Sequence, residues 1–211
     1  MCIRDRAWVS HSQTGLPVIK QLPFFIFEKL NQPKHPNGLI NIELQAGGAF
    51  GSGHHQTTRG CLMMIDKLLK RTQPKHILDL GCGSGILAIA LAKATHKKIK
   101  ASDIDPEAVA MAQKNSCLNH VRHLVQVYES DGFNRLEKGQ KTFDIIVANI
   151  LSNTLKRLAH DLTHRLSPPL YPNMSGSLIL SGILNTQQQQ ITATMRPVSY
   201  THLTLPTSSQ V

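Results

Sequence analysis

Aromatic residues make up only 5% of this 211-residue sequence. That scarcity argues against a surface built to stack nucleic-acid bases. No apolar run approaches the ~18 residues a membrane-spanning helix requires, so a transmembrane role is excluded. Four scattered cysteines, with no Cys-x-x-Cys pair, provide neither a disulfide framework nor a zinc site. The start lacks a secretory apolar stretch, which points to a reducing cytoplasm. Acidic residues are also few: 13 Asp and Glu stand against 23 Lys and Arg, a net charge of +10. A basic balance suits an acidic or nucleic-acid partner but is common among cytosolic enzymes. What remains is 41% hydrophobic and 17% charged, the composition of a soluble globular chain of one domain or one and a half.

The two ends stand apart. Residues 1–6, Met-Cys-Ile-Arg-Asp-Arg, are encodable as ATG-TGT-ATA-AGA-GAC-AGN. The reverse complement of the first five codons translates as Val-Ser-Tyr-Thr-His, which is Val198 to His202. The termini thus read as one DNA element in opposite directions, and that element looks like the transposon-end adapter used to fragment DNA. Residues 1–6 and 197–211 are therefore set aside as adapter-derived. Without them, residues 7–196 carry 21 basic and 12 acidic groups, or +9. The natural protein is expected to be longer at both ends.

Residues 7–46 read as a linker with a lead-in strand: a short apolar segment at Phe24–Phe27, then alternation at Leu39–Leu44. Gly47–Gly53 is a glycine-rich loop, and Thr57–Leu69 has the apolar spacing of a helix. From residue 76, strands and helices alternate. Strands are expected at 76–80, 98–102, 124–128, 143–148 and 177–181, and helices at 84–94, 106–118, 152–166 and 186–195. The strands are nearly continuous apolar runs, the pattern of a parallel sheet covered on both faces. This is an α/β, doubly wound, Rossmann-like architecture. Gln187–Gln190 reads as a solvated helix face.

Asp79-Leu-Gly-Cys-Gly-Ser-Gly closes one strand and opens a helix. Gly81, Gly83 and Gly85 permit a tight turn and close approach of a ligand to the backbone. Asp103 ends the next strand about twenty residues on, where an acid grips a ribose hydroxyl pair. Dinucleotide sites use G-x-G-x-x-G, but here the spacing is G-x-G-x-G and position 86 is Ile. A nicotinamide oxidoreductase is disfavoured on that ground. The loop instead resembles that of class I S-adenosyl-L-methionine methyltransferases. In that class Asp131 is placed to meet the adenine amino group, or it is simply a loop Asp.

The longer run is more specific. Ala49-Phe-Gly-Ser-Gly-His-His-Gln-Thr-Thr, the glycine loop, Asp103-Ile-Asp-Pro-Glu-Ala-Val, Val147-Ala-Asn-Ile-Leu and Leu180-Ser-Gly-Ile-Leu together closely resemble the PrmA family. Its members methylate large-subunit ribosomal protein eleven. The resemblance covers roughly residues 8–193 and makes 47–196 the methyltransferase domain. It implies a separate N-terminal substrate-holding domain, which is absent here, and methylation of lysine side chains and the N-terminal amine. It implies S-adenosyl-L-methionine as cofactor, with Thr58, Gly81, Gly83, Gly85, Asp103 and Asp131 around it and Asn149 between cofactor and amine. It also implies a monomeric full-length enzyme needing neither membrane nor nucleic acid. The departures are Ser52, where Thr is usual, and a proline-broken loop at Pro168–Ser175.

Methyl transfer from a sulfonium needs placement more than covalent catalysis. Asn149 fits as an orienter of the amine; the alternative is a cap for the helix at Ser152. Cys82 reads as a small buried residue rather than a nucleophile. His54 and His55 are adjacent, which rarely converges on one ion, so no metal is expected. The +9 charge keeps an RNA substrate as a competing reading. A chain that binds cofactor without turnover is another. Class I methyltransferases end with an antiparallel strand pair, so the strand at 177–181 is expected to keep an open edge.

Overall fold

The structure is a computed structural model, and it describes residues 18–28, 36–45, 55–135, 142–168, 176–183, 185–187, 189, 190, 193 and 202–204. The glycine-rich run 47–53, His54 and most of the proline-broken loop lie outside those residues. So do residues 1–6 and most of 197–211.

A small sheet leads the chain in, with order β1-β2-β3. β1 (Ile19–Gln21) and β2 (Phe24–Glu28) form an antiparallel hairpin, and β3 (Ile40–Leu44) pairs parallel to β2. Only two of these strands are legible in sequence, because three residues before a Leu-Pro turn give no period to read. Phe24, Ile26, Ile42 and Leu44 point one way. They join Cys61, Leu62 and Ile65 of α1 (His55–Leu69) and Leu87 to Ala92 of α2 (Ile86–Thr95) in one core.

The main sheet has the order β6-β5-β4-β7-β8-β9 and is parallel throughout. Its strands are β4 (Ile77–Leu80), β5 (Ile99–Asp103), β6 (Val125–Glu129), β7 (Ile145–Asn149), β8 (Ser177–Ser181) and β9 (His202–Thr204). Alternate side chains feed two cores, as the period of two requires. Ile77, Ile145, Val147 and Ile179 face α1 and α2. Leu78, Leu80, Ile146, Ala148, Leu178 and Leu180 face Phe133, Phe143, Leu155, Leu162 and Leu166. Full burial of each such aliphatic or aromatic side chain contributes about 1.5–3 kcal/mol.

α3 (Pro106–Leu118) begins as its sequence requires. Asp105 caps it by accepting from the Glu107 N–H at 2.8 Å, and Pro106 occupies the first turn. The helix expected at 152–166 is in fact two: α4 (Ser152–Arg157) and α5 (Ala159–His164). They break at Leu158, which packs over Gly132, where a Cβ would lie 2.8 Å from Leu158 Cδ2. The polar helix expected at 186–195 begins instead as a 3-10 turn, Asn185–Gln187.

One expectation is overturned at the sheet edge. β8 is not open: Ser177, Leu178 and Ile179 pair in parallel with His202, Leu203 and Thr204. Prolines stand at 197 and 206, on either side of β9, and leave the strand itself free of proline. His202-Leu-Thr therefore has a backbone N–H at every position with which to join the ladder.

Candidate cofactor and amine site

The chain runs outward from β4 to β5 and β6, then crosses back to β7 on the other side. The carboxyl ends of β4 and β7 therefore flank a topological switch point, where open α/β sheets form their crevice. Four sequence-predicted residues sit on its β4–β5 side.

The glycine loop is tied by its own backbone. The Gly81 and Cys82 N–H groups both donate to Ser102 O, at 2.7 and 3.0 Å, and Gly85 N–H donates to Cys82 O at 2.8 Å. Asp103 Oδ2 accepts from Gly83 N–H at 2.8 Å, and its Oδ1 accepts from Asp105 N–H at 3.1 Å. Asp103 thus holds the loop as well as facing the crevice, a role the sequence did not disclose. A carboxylate offers about four lone-pair sites, so capacity for a ribose remains. A Cβ on Gly85 would lie 3.0 Å from Ala112 Cβ, which is how closely α2 and α3 meet. A Cβ on Gly83 would touch nothing within 4 Å; that face of the loop is open.

Beneath the loop lies Asp79, 1% exposed, on the same sheet face as Ile77. Its Oδ2 accepts from Ala88 N–H at 2.9 Å, and its buried Oδ1 has no partner. Burial pushes its carboxyl up to about 7; the charge of Asp103 adds to this, and the Ala88 N–H opposes it. The same burial pushes the Cys61 thiol up to about 12, against a hydrogen bond with Ser181. Cys82 is raised as well, chiefly by burial, so neither buried thiol carries nucleophile character.

On the β7 side, Asn149 ends its strand. Its Nδ2 lies 3.5 Å from Thr57 Oγ1, and its buried Oδ1 has no partner among the described residues. Thr57 meets Asn149, and Thr58, the residue expected at the cofactor, is buried next to it on α1. Successive helical residues diverge by about 100°, so only one of a Thr-Thr pair can face a given neighbour. Ile150 follows, wedged between Gly81 and Gly182. A Cβ on Gly81 would overlap Ile150 Cγ2, and one on Gly182 would run into Ile150 O.

Asp131 is next to this region through Ser130, whose N–H donates to Asp103 O at 2.7 Å. Its carboxylate is paired by Arg157 of α4, Nη2 to Oδ1 at 2.9 Å and Nη1 to Oδ2 at 3.2 Å. These hydrogen bonds, reinforced by the guanidinium charge, hold Asp131 below the usual carboxylate value. No local pattern announces this pair, because its two partners are 26 residues apart.

The family described as ribosomal protein L11 methyltransferase (PrmA) matches residues 2–209. The chain belongs to that family. It is 40% identical over 200 residues to the ribosomal protein L11 methyltransferase of Mesorhizobium japonicum, covering 94% of this chain and 67% of the relative. The protein of the same name from a Chelativorans species is 42% identical over 198 residues, covering 93% and 66%. The chain thus spans about two thirds of the length of these curated relatives. Among solved structures, the ribosomal protein L11 methylase of Lactobacillus delbrueckii subsp. bulgaricus aligns with TM-score 0.73 at 29% identity, over 86% of this chain and 87% of that one. The precorrin-6y C5,15-methyltransferase of Geobacter metallireducens shares the fold alone, with TM-score 0.53 at 16% identity over 66% of this chain and 70% of that one. The PrmA family match and the parallel, doubly wound sheet together give the class I methyltransferase fold expected from the sequence.

Proposed function

We propose that this chain catalyses transfer of a methyl group from S-adenosyl-L-methionine to amino groups of ribosomal protein L11, on lysine side chains and the N-terminal amine. The observation that carries the reading is Asn149 Oδ1, a buried amide oxygen without a partner at the end of β7, across the crevice mouth from the glycine loop. An acceptor of this kind suits an incoming N–H donor.

The residues fit the cofactor. Asp103 matches a ribose, the open face at Gly83 admits a ligand against the backbone, and the unpartnered Asp79 Oδ1 suits the ammonium of an amino-acid moiety. When bound, the sulfonium supplies an electrophilic methyl group. The chain's own task is to bring the amine neutral and aimed. A free lysine amine has a pKa of about 10.4 and is mostly protonated at neutral pH. Desolvation in the crevice and a neighbouring positive charge both favour its neutral form. Asn149 accepts one N–H and thereby turns the nitrogen lone pair toward the methyl. Thr57 steadies the other end of the same amide. Alignment of this sort, not acid–base chemistry, is the main source of acceleration.

Asp131, with Arg157, serves as the adenine-side wall in this reading, and Thr58 supports α1 beneath Thr57. The complete protein works as a cytoplasmic monomer on its protein substrate, without nucleic acid. Incubation with methyl-labelled cofactor and purified L11 tests the proposal. Label on L11 lysines and its N-terminal amine is the expected result; label on RNA alone would overturn the substrate assignment.

A further inference from the structure

β3 has a sheet partner on only one side, and its other edge meets α3. There, two asparagine side chains replace a strand. Asn119 Oδ1 accepts from Glu43 N–H at 3.0 Å, and its Nδ2 donates to Glu43 O at 2.6 Å. One helical turn earlier, Asn115 Oδ1 accepts from Gln45 N–H at 2.9 Å. The match is geometric: four residues of helix rise about 6 Å and two residues of strand about 6.6 Å, so asparagines at i and i+4 meet alternate strand residues.

The two asparagines then differ. Asn119 gives its second N–H back to α3, to Asn115 O at 2.8 Å. Asn115, which is fully buried, gives its N–H to Ser84 O in the glycine loop at 2.8 Å. One amide therefore joins the end of β3 to the loop that faces the cofactor crevice. Asp103 already pins the loop from the other flank through Gly83 N–H. Between these two anchors lies the Gly83–Ser84 peptide.

We infer that Asn115 is a positioning residue for the cofactor loop, coupling the lead-in strand β3 to the glycine turn. The inference rests on the methyltransferase reading for its ligand, but its structural content stands apart from it. With Asn115 in place, the Ser84 carbonyl is held inward and the open face of Gly83 keeps one orientation. Without its N–H, a buried carbonyl loses its partner and the peptide beside it is free to turn.

The test compares Asn115→Asp with Asn119→Asp in the full 211-residue chain. Each keeps its acceptor for β3, each loses its donor, and each adds the same charge. Both are expected to lower the unfolding midpoint. Asn115→Asp alone should weaken S-adenosylhomocysteine binding about ten-fold or more by calorimetry, the scale of one buried hydrogen bond left unmade. It alone should also speed amide exchange at Gly83 and Gly85 in the ligand-free protein. Asn119→Asp should leave affinity and loop exchange close to the parent. Equal effects of the two variants on affinity or on loop exchange would overturn the inference. A parent chain that binds no S-adenosylhomocysteine would sink the proposed function instead, and loop exchange would still decide this point. If Asn115→Asp does not fold, Asn115→Ser, too short to reach Ser84, is measured in its place.

Discussion

The two walls of the crevice are held in different ways. On the β4–β5 wall, hydrogen bonds fix the backbone: Ser102 O, Asp103 and Asn115 between them hold Gly81 to Ser84. On the β7–β8 wall, shape does the holding. Ile150 is clasped between Gly81 and Gly182, while the amide of Asn149 keeps one buried atom unpartnered. In the proposed reading the binding wall spends most of its polar groups on its own backbone and keeps back only Asp79 Oδ1 and the spare lone pairs of Asp103, because its ligand needs a fixed surface. A wall that aims a reacting nitrogen must keep an acceptor in reserve, so its rigidity has to come from contact.

The contrast can be broken most severely at Gly182. Its φ is +81° and a Cβ would strike backbone, Ile150 O, which cannot rotate away. Gly182→Ala should destabilise the protein by about 2–4 kcal/mol in chemical denaturation and remove activity with it. A variant as stable as the parent would show that the β7–β8 wall is not held by contact.

Asp103→Ala attacks the other wall. It removes the partner proposed for the ribose and also frees Gly83 N–H. Cofactor affinity should fall by about 1.5–3 kcal/mol in calorimetry. Unchanged affinity would take Asp103 out of the site.

Asn149→Ala separates the walls functionally. Turnover should drop about ten-fold or more while cofactor affinity changes little, since the interaction proposed for Asn149 belongs to the amine and not to the cofactor. Full turnover in this variant would leave Asn149 as no more than a strand-end residue.

The smallest effect is a pH slope from Asp79. Its folded value, about 7, lies above the ordinary 3.8, so the folded state retains a proton that the unfolded chain has lost. Stability should therefore be full below pH 4 as far as this group is concerned and decline as pH rises from about 4 to 7. Asp79→Asn should flatten that decline and gain about 1 kcal/mol at pH 8, by removing a buried charge. An identical pH profile for parent and variant would show that Asp79 is not held protonated by its surroundings.

The first wall was far more legible in sequence than the second. Gly81, Gly83, Gly85 and Asp103 follow one another along a strand–turn–helix–strand unit, so local spacing carries the geometry. Asp105 and Pro106 announced the start of α3 in the same local way. The second wall is assembled from α1, β7 and β8, and the contact of Thr57 with Asn149 depends on how α1 rotates against β7. The break at Leu158 comes from a tertiary neighbour, Gly132, that no helical period encodes. The Asp131–Arg157 pair is likewise a product of packing. β1 and β9 are three residues each, too short for any pattern to rise above chance.

Ile150 touches two glycines that lie far apart in the chain, and this has a consequence for heritable variation. Gly81, Ile150 and Gly182 behave as one locus: what is tolerated at one depends on the others. At Gly81 the obstacles are the tip of the Ile150 side chain and a φ of +70°, so trimming position 150 to Ala removes the clash but not the backbone strain and should suppress Gly81→Ala only in part. At Gly182 the obstacle is the main chain itself, which no change at 150 removes. A genetic screen would thus recover partial second-site suppressors at position 150 for Gly81 and none there for Gly182, although both press on the same residue.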